Sequence, residues 1–201
     1  MAELRSAIFI DQLQPQTMCY LGTWIRGRPP RSGMAAAVIE VAPGLDIEPL
    51  TDVALKHTRL QAGILVVERQ FGYLEFHSRS PAAVRSASAA VLDALGASPR
   101  DATRPAILAS TLVSRLDHQH AFLINRNKLG SMALPGESLF VLEMQPASYA
   151  ILAVNEAEKA ARIKVVDYRM IGATGRVYLT GDESDVRAAS DAATAALEAV
   201  G

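Results

Sequence analysis

The chain has 201 residues, of which 50% are hydrophobic and 20% charged, and its formal net charge is -1. This composition is typical of a globular protein with one large or two small domains, and it disfavours nucleic-acid binding, which depends on many cationic contacts to phosphates. A single cysteine, Cys19, excludes an intrachain disulfide. With no apolar run of the ~18–20 residues that span a bilayer and no signal-peptide pattern, we expect a cytoplasmic location.

The first half is predicted to be α/β. Residues 7–11 and 18–21 resemble two short strands around a turn, and the prolines and glycines of residues 26–33 exclude regular structure there. Residues 36–41 predict a strand, followed by a helix that ends near Lys56. Residues 63–67 and 73–77 predict strands that flank a loop at 68–72. Ser80 and Pro81 then begin a helix that Gly96 ends.

The second half is predicted to follow the same plan. Strands are expected at 107–112, 121–125 and 138–144, and a helix at 149–162. The next segment predicts a β-branched strand, a loop bracketed by Gly172 and Gly175, and an alternating strand at 177–180. A last helix from about 184 to 200 carries an apolar stripe at 3.6-residue spacing.

Many residues of the first half recur 103 positions later. The pairs are Gly27 with Gly130, Gly33 with Gly136, Val38 with Val141, Glu40 with Glu143, Pro43 with Pro146, Ala54 with Ala157, Lys56 with Lys159, Arg59 with Arg162 and Gly72 with Gly175. After a one-residue slip, residues 84–88 match residues 186–190 at a spacing of 102. So many matches in near-constant register predict two homologous domains, residues 1–100 and 101–201.

The segment from Lys159 onward resembles the central part of the bacterial microcompartment shell domain. The family signature is a helix ending in Lys-Ala-Ala, a strand, a glycine loop, a strand, and Gly-Asp before an alanine-rich helix. Here these are Lys159-Ala160-Ala161, Ile171-Gly172-Ala173-Thr174-Gly175 and Gly181-Asp182. Because each half ends at its alanine-rich helix and has extra strands at its beginning, the chain resembles the circularly permuted tandem members of the family.

The resemblance implies an α/β (α+β) fold with two tandem permuted shell domains, each a small antiparallel sheet flanked by helices. We expect those helices on one side of each sheet. It also implies a homotrimer, a pseudohexamer that tiles into the shell of a bacterial microcompartment in the cytoplasm. The expected partners are further copies of the chain and, laterally, other shell proteins, with a second trimer stacked face to face left open. No cofactor, nucleic acid or membrane is expected.

The resemblance also implies roles for two sets of residues. In the family, the helix-end lysine lies at the rim of the flat unit, which assigns shell-edge contacts to Lys56, Arg59, Lys159 and Arg162. The glycine loop surrounds the central opening, which assigns the pore lining to Glu68, Arg69, Gln70, Phe71, Gly72, Ile171, Gly172, Ala173, Thr174 and Gly175. Pairing of Glu68 with Arg69 of a neighbouring chain would close the opening. From the residues alone, the lysines are favourable helix-end charges and loop 68–72 is an ordinary charged hairpin.

Other candidate sites have simpler explanations. His118 and His120 would share one face of a strand, but a metal needs a third ligand, so a polar turn is favoured. Residues 172–176 are glycine-rich, yet a strand follows rather than a helix, which excludes a dinucleotide-phosphate site. Cys19 is predicted to be a buried structural cysteine in an apolar strand.

The remaining candidates leave alternatives open. Arg26, Arg28 and Arg31 predict a solvated loop, with an anionic partner or an inter-subunit contact as alternatives. The sequence offers no nucleophile with a base, no paired carboxylates and no metal cluster, so catalysis is not expected. This agrees with the structural shell role that the resemblance implies. The alternatives are a small-molecule-binding regulatory trimer with ferredoxin-like domains, and an enzyme that uses the His118/His120 region.

Overall fold

A computed structural model of the chain describes residues 2–200. Over that range the chain forms two compact units, the first ending at Arg104 and the second beginning at Pro105. Between residues 2 and 200, no helix combines the length and apolar character that crossing a membrane requires.

Between residues 2 and 104, the first unit contains four strands and three α-helices. In chain order they are β1 (Glu3–Ile10), α1 (Pro15–Leu21), β2 (Ala35–Ala42), α2 (Ile47–His57), β3 (Gln61–Glu68), β4 (Phe71–Ser78) and α3 (Pro81–Leu95), with short 3-10 turns at Gly44–Asp46 and Pro99–Asp101. As predicted, the Ser80 hydroxyl caps α3 by accepting from the Ala83 N–H, and Gly96 ends the helix with φ +69°.

The second unit repeats this order. Its elements are β5 (Ala106–Val113), α4 (His118–Asn127), β6 (Ser138–Gln145), α5 (Tyr149–Ala160), β7 (Lys164–Arg169), β8 (Gly175–Gly181) and α6 (Glu183–Glu198). The sheets have the strand orders β1-β2-β4-β3 and β5-β6-β8-β7, and every neighbouring pair is antiparallel. The predicted fold class, two antiparallel sheets flanked by helices, is confirmed.

The register of the central strand pairs locates the one-residue slip in the repeat. Ala35 lies opposite Ser78 in the first unit, and Ser138 lies opposite Gly181 in the second, so the spacing of 103 holds to this point. The helix caps that follow are Ser80 and Asp182, at a spacing of 102. The slip therefore falls at residue 79, an arginine that has no counterpart in the second unit.

The strands predicted at 18–21 and 121–125 are wrong, because both segments are helical. Thr17 and Leu21 of α1 are both fully buried, and their spacing of four residues is that of one helical face. In α4, Ala121 and Ile124 are the buried positions, three residues apart. Short apolar runs do not distinguish a strand from a buried helix turn by composition alone.

The segments that contain these two helices change how the sheets are covered. The α2 and α3 side chains pack with Leu74 and Phe76 of β4 on one face of the first sheet. On the other face, a side chain at Gly63 would meet both Ile25, from the segment after α1, and Glu75. In the second unit, α4 packs in a core with Val166 and the partly buried Tyr178. The sheets are therefore covered on both faces, not on one side as expected.

Candidate functional site

The predicted first pore loop is a tight turn between β3 and β4. Glu68 pairs with Phe71 as the last ladder position, so only Arg69 and Gln70 form the turn itself. Arg69 has φ +56°, the left-handed region that non-glycine residues rarely adopt. Its Nε lies 3.8 Å from Glu68 Oε1, and the two side chains are 89% and 49% exposed. Such a solvated ion pair is weak, so both charges remain available to another chain.

The base of this turn is fixed inside the unit. Phe71 is 7% exposed, and the Arg5 guanidinium carbon lies 4.2 Å from its ring centroid. Arg5 Nε also donates to Glu40 Oε1 at 2.8 Å, where the side chains are 12% and 0% exposed. A Cβ at Gly72 would lie 2.2 Å from the Gly44 carbonyl oxygen. Of the predicted lining residues 68–72, only the first three present side chains to the outside.

The second predicted loop, residues 171–175, is held by a carboxylate. Thr174 Oγ1 donates to Glu143 Oε1 at 2.7 Å, and Arg176 Nε donates to the same oxygen at 3.0 Å. Both hydrogen bonds lower the pKa of Glu143 below its usual value, and the one from Thr174 has the larger effect. Gly172 has φ +126° and open space where a Cβ would lie, whereas a Cβ at Gly175 would lie 2.4 Å from a backbone carbonyl oxygen. The two glycines are therefore needed for different reasons, backbone conformation and close approach.

Glutamates at equivalent positions of the repeat support the two loops. Glu40 and Glu143 lie on the central strands β2 and β6, 103 positions apart. Glu40 binds Arg5 from β1, and Glu143 binds Thr174 and Arg176 from the loop and β8. The repeat identified these glutamates as markers but not as loop supports. A charged residue recurring within an apolar strand was the signal that could have found them.

The predicted shell-edge residues lie at the ends of α2 and α5. Lys56 Nζ is 2.6 Å from Asp52 Oδ2, with the lysine side chain 77% exposed, whereas Lys159 Nζ is 2.9 Å from Glu156 Oε1, with the side chain 28% exposed. Arg59 and Arg162 follow these helices and are exposed. Each unit thus presents a cationic helix end to its surface, with the charge of Lys56 more available than that of Lys159.

The structure places His118, His120 and Cys19 differently from the strand interpretation. Both histidines are exposed in the first turn of α4, where Asp117 caps the helix by accepting from the His120 N–H and its neighbour. Those backbone hydrogen bonds lower the pKa of Asp117. Within residues 2–200, no group of three or more His, Cys, Asp or Glu side chains could hold a metal. Cys19 is exposed on α1, so its predicted burial is wrong.

A buried polar pair in the first unit was not predicted. His77 Nδ1 lies 2.8 Å from Glu75 Oε1, and both side chains are 0% exposed. Desolvation raises the pKa of Glu75, although the hydrogen bond and charge of His77 act in the opposite direction. The signal was two polar residues, two positions apart on β4, that share one face of an otherwise apolar strand.

Comparison with family models defines the class of protein. The model described as the CsoS1D N-terminal domain matches residues 4–101, and the BMC domain model matches residues 138–201. With the repeated sheet order and the relatives below, the chain belongs to the bacterial microcompartment shell proteins with two tandem, circularly permuted domains. The predicted family is confirmed.

Individual relatives cover nearly the whole chain. The carboxysome shell protein CcmP of Synechococcus elongatus is 45% identical over 196 residues, which is 98% of this chain and 92% of the relative. The carboxysome shell protein CsoS1D of Hydrogenovibrio crunogenus is 41% identical over 199 residues, 98% of this chain and 97% of the relative.

Two solved structures are similar in both fold and sequence. The fused permuted hexameric shell protein MSM0275 of the RMM microcompartment matches with a TM-score of 0.97 and 72% identity, and 98% of each chain is covered. The double-ringed trimeric shell protein MSM0271 of the same microcompartment matches with a TM-score of 0.95 and 43% identity, covering 99% of this chain and 97% of that one.

Proposed function

We propose that this chain is a structural component of a bacterial microcompartment shell, without catalytic activity, and that three copies form a pseudohexameric trimer. The relatives named above are carboxysome shell proteins, and the similar solved structures are hexameric or trimeric shell proteins. Two units of the same topology per chain supply six similar edges per trimer. Neither alternative, the ferredoxin-like regulatory trimer nor the enzyme using His118 and His120, is favoured by these comparisons.

The pore proposal rests on one observation, the exposed and weakly paired charges at Glu68 and Arg69. Three copies of this turn around a threefold axis would bring three carboxylates and three guanidinium groups together. Like charges repel at short range, so each Arg69 would bind the Glu68 of a neighbour, which closes the opening. The buried Phe71 and Gly72 would hold the turn in place, and rotation of the outer side chains would open a gate for metabolites.

The second loop would line the same opening in a different way. Ala173 is exposed and its neighbours are half-buried, and none of residues 171–175 is charged. Its tie to Glu143 fixes the loop to β6. We therefore assign the gating charges to the first unit and a smaller, neutral lining to the second. Lys56, Arg59, Lys159 and Arg162 are proposed to contact neighbouring tiles and other shell proteins.

Tiling is tested by charge reversal at the edge. The double variant Lys56→Glu/Lys159→Glu should remain trimeric, because the ion pairs of the two lysines with Asp52 and Glu156 lie within their own helices and such solvated pairs are worth at most about 1 kcal/mol each. It should fail to form the sheets or tubes that electron microscopy is expected to show for the natural protein. The control Arg100→Glu/Arg104→Glu reverses two exposed charges away from the helix ends. Normal sheets from the lysine variant, or equal loss in the control, would refute the edge assignment.

The gate is tested by changing Arg69 alone. Arg69→Ala has the same left-handed backbone restriction as arginine, so the turn should fold unchanged. Electron cryo-microscopy of the variant trimer should show a wider central opening than that of the natural protein. The Arg69→Lys trimer should still include particles whose central opening is closed. An opening of the same width in all three proteins would contradict a gating role without contradicting the shell role.

A further inference from the structure

The first unit has a strongly basic groove outside the proposed pore loops, and one of its lining residues, Arg59, is also a proposed shell-edge residue. It has a volume of about 760 Å³ and lies between the segment after α1, the end of α2 and the end of β4. The groove is lined by no aspartate or glutamate and by four arginines, Arg28, Arg31, Arg59 and Arg79. Within residues 2–200, none of the four guanidinium groups forms an ion pair. The groove therefore concentrates positive charge in a chain whose net charge is -1.

The second unit shows that the fold does not need this charge. Leu13 N donates to the Met34 oxygen at 2.8 Å, and Leu116 N donates to the Glu137 oxygen at 2.7 Å, so residues 34 and 137 are equivalent. In the second unit, Glu137 Oε2 lies 2.7 Å from Lys164 Nζ and neutralises it. The first unit has Met34 in place of that carboxylate and Gln61 in place of the lysine, so the charge of its groove comes from arginines alone.

The arginines follow the same asymmetry. At the spacing of 103, the positions of Arg28 and Arg31 are taken by Ser131 and Leu134 in the second unit. Arg79 is the extra residue at which the repeat slips, and it has no counterpart. Of the four cations, only Arg59 has a cationic equivalent. A requirement of the fold would be met in both units, so the accumulated charge indicates a function specific to the first.

A buried nitrogen at the groove gives independent evidence of a missing ligand. His77 is among the lining residues and is 0% exposed, with its Nδ1 bound to Glu75. Its Nε2 is buried and has no hydrogen-bond partner in the described part of the chain. Leaving such an atom unsatisfied is costly, and most native structures provide a partner.

We propose that this groove binds a small molecule that carries a phosphate group. Guanidinium groups match phosphate oxygens with two parallel hydrogen bonds, and a dianion relieves the mutual repulsion of the four cations. A concave surface that includes a buried imidazole favours a compact ligand over the acidic surface of a protein. The site shares Arg59 with the edge assignment, but it uses neither loop 68–70 nor Lys56, and the variants that test it below leave Arg59 unchanged.

Binding is measured by isothermal titration calorimetry of the purified natural assembly at constant low ionic strength. The probes are inorganic phosphate, glycerol 3-phosphate and, as the uncharged control, glycerol. Glycerol should not bind. Saturable binding of inorganic phosphate or glycerol 3-phosphate supports the site. The probe with the lower Kd shows whether the site prefers free phosphate or a phosphorylated metabolite. Absence of saturable binding of both below about 10 mM would overturn the proposal.

Met34 provides a matched pair of variants. Met34→Glu recreates the carboxylate of the second unit and should weaken phosphate binding by about tenfold or more, the range expected for a charged hydrogen-bonded contact. It should fold, because Arg31 N donates to Met34 Sδ at 3.3 Å and the equivalent N–H donates to Glu137 Oε2 at 3.0 Å. Met34→Gln is isosteric with that variant but neutral, and should bind within about twofold of the natural protein. Equal binding by the two variants would overturn the proposal.

A second comparison tests the arginines themselves. Arg28→Gln/Arg79→Gln should lose binding, whereas Arg100→Gln/Arg104→Gln removes two exposed charges elsewhere in the same unit and should retain it. Equal loss in both would show a general charge effect and overturn the site. Poly-glutamate that binds the natural protein when neither phosphate does would assign the groove to an acidic protein partner and also overturn the proposal.

Discussion

Removing Arg5 should destabilise the first unit more than any comparable change at the second loop. The Arg5–Glu40 pair has a 2.8 Å contact, and its side chains are 12% and 0% exposed. Breaking a buried pair from one side costs about 3–5 kcal/mol, because the remaining charge stays buried. For a unit of this size, a loss of 3 kcal/mol corresponds to roughly 12 °C or more in Tm. The matching change Arg176→Met breaks a pair that is 51% and 30% exposed, worth at most about 1 kcal/mol.

The assay is urea denaturation of Arg5→Met at fixed protein concentration, because assembly contributes to apparent stability. The double variant Arg5→Met/Glu40→Gln is the control, since removing both charges should recover part of the loss. Partial recovery would also show that the effect is electrostatic and not only the lost contact with Phe71. A cost below about 1 kcal/mol for Arg5→Met, or a double variant less stable than the single one, would refute the reasoning.

Three further predictions concern glycines and carboxylates. Gly72→Ala and Gly175→Ala should each lower Tm by several degrees, because the new Cβ would lie 2.2 or 2.4 Å from a carbonyl oxygen; scanning calorimetry checks this, and unchanged Tm values would contradict it. Glu75→Gln should stabilise the first unit at neutral pH. Because burial raises the pKa of Glu75 above 4.5, the natural protein loses stability as the pH rises above about 4.5. The free energy of unfolding that Glu75→Gln gains over the natural protein, measured by denaturation, should therefore be larger at about pH 7 than at about pH 4. Thr174→Val should raise the pKa of Glu143 toward 4.5, which NMR titration measures. It should also reduce the stability that the ionised carboxylate contributes above pH 4.5 and that is lost as the pH falls through the lowered pKa. An unchanged titration would show that the hydroxyl does not hold the carboxylate.

The repeat and the hydrophobic periodicity were sufficient to predict most of the fold. Strands such as β2 and β8, and helices with a cap and a long apolar stripe such as α3, are specified by local sequence. Helices α1 and α4 were not recognised, because their buried positions become clear only when the sheet face beneath them is known. Their recurrence at equivalent positions of both units shows that the same error was made twice for one physical reason.

The candidate site was less predictable, because its supports are distant in sequence. Turn 68–70 follows from strand alternation, but the burial of Phe71 depends on Arg5, and that of Gly72 on the backbone at Gly44. The basic groove likewise gathers Arg28, Arg59 and Arg79 from separate segments. The arginines of the 26–33 loop were noticed, yet their number in one concave surface could be known only from the fold.

The central proposal, a pseudohexameric trimer with a charged gate, is tested most directly by an electron cryo-microscopy structure of the assembled natural protein. We predict a threefold particle with six similar lobes, in which Glu68, Arg69 and Gln70 of all three chains surround the axis and each Arg69 contacts a neighbour's Glu68. A particle without threefold symmetry, or one with these residues at the outer rim, would contradict the proposal.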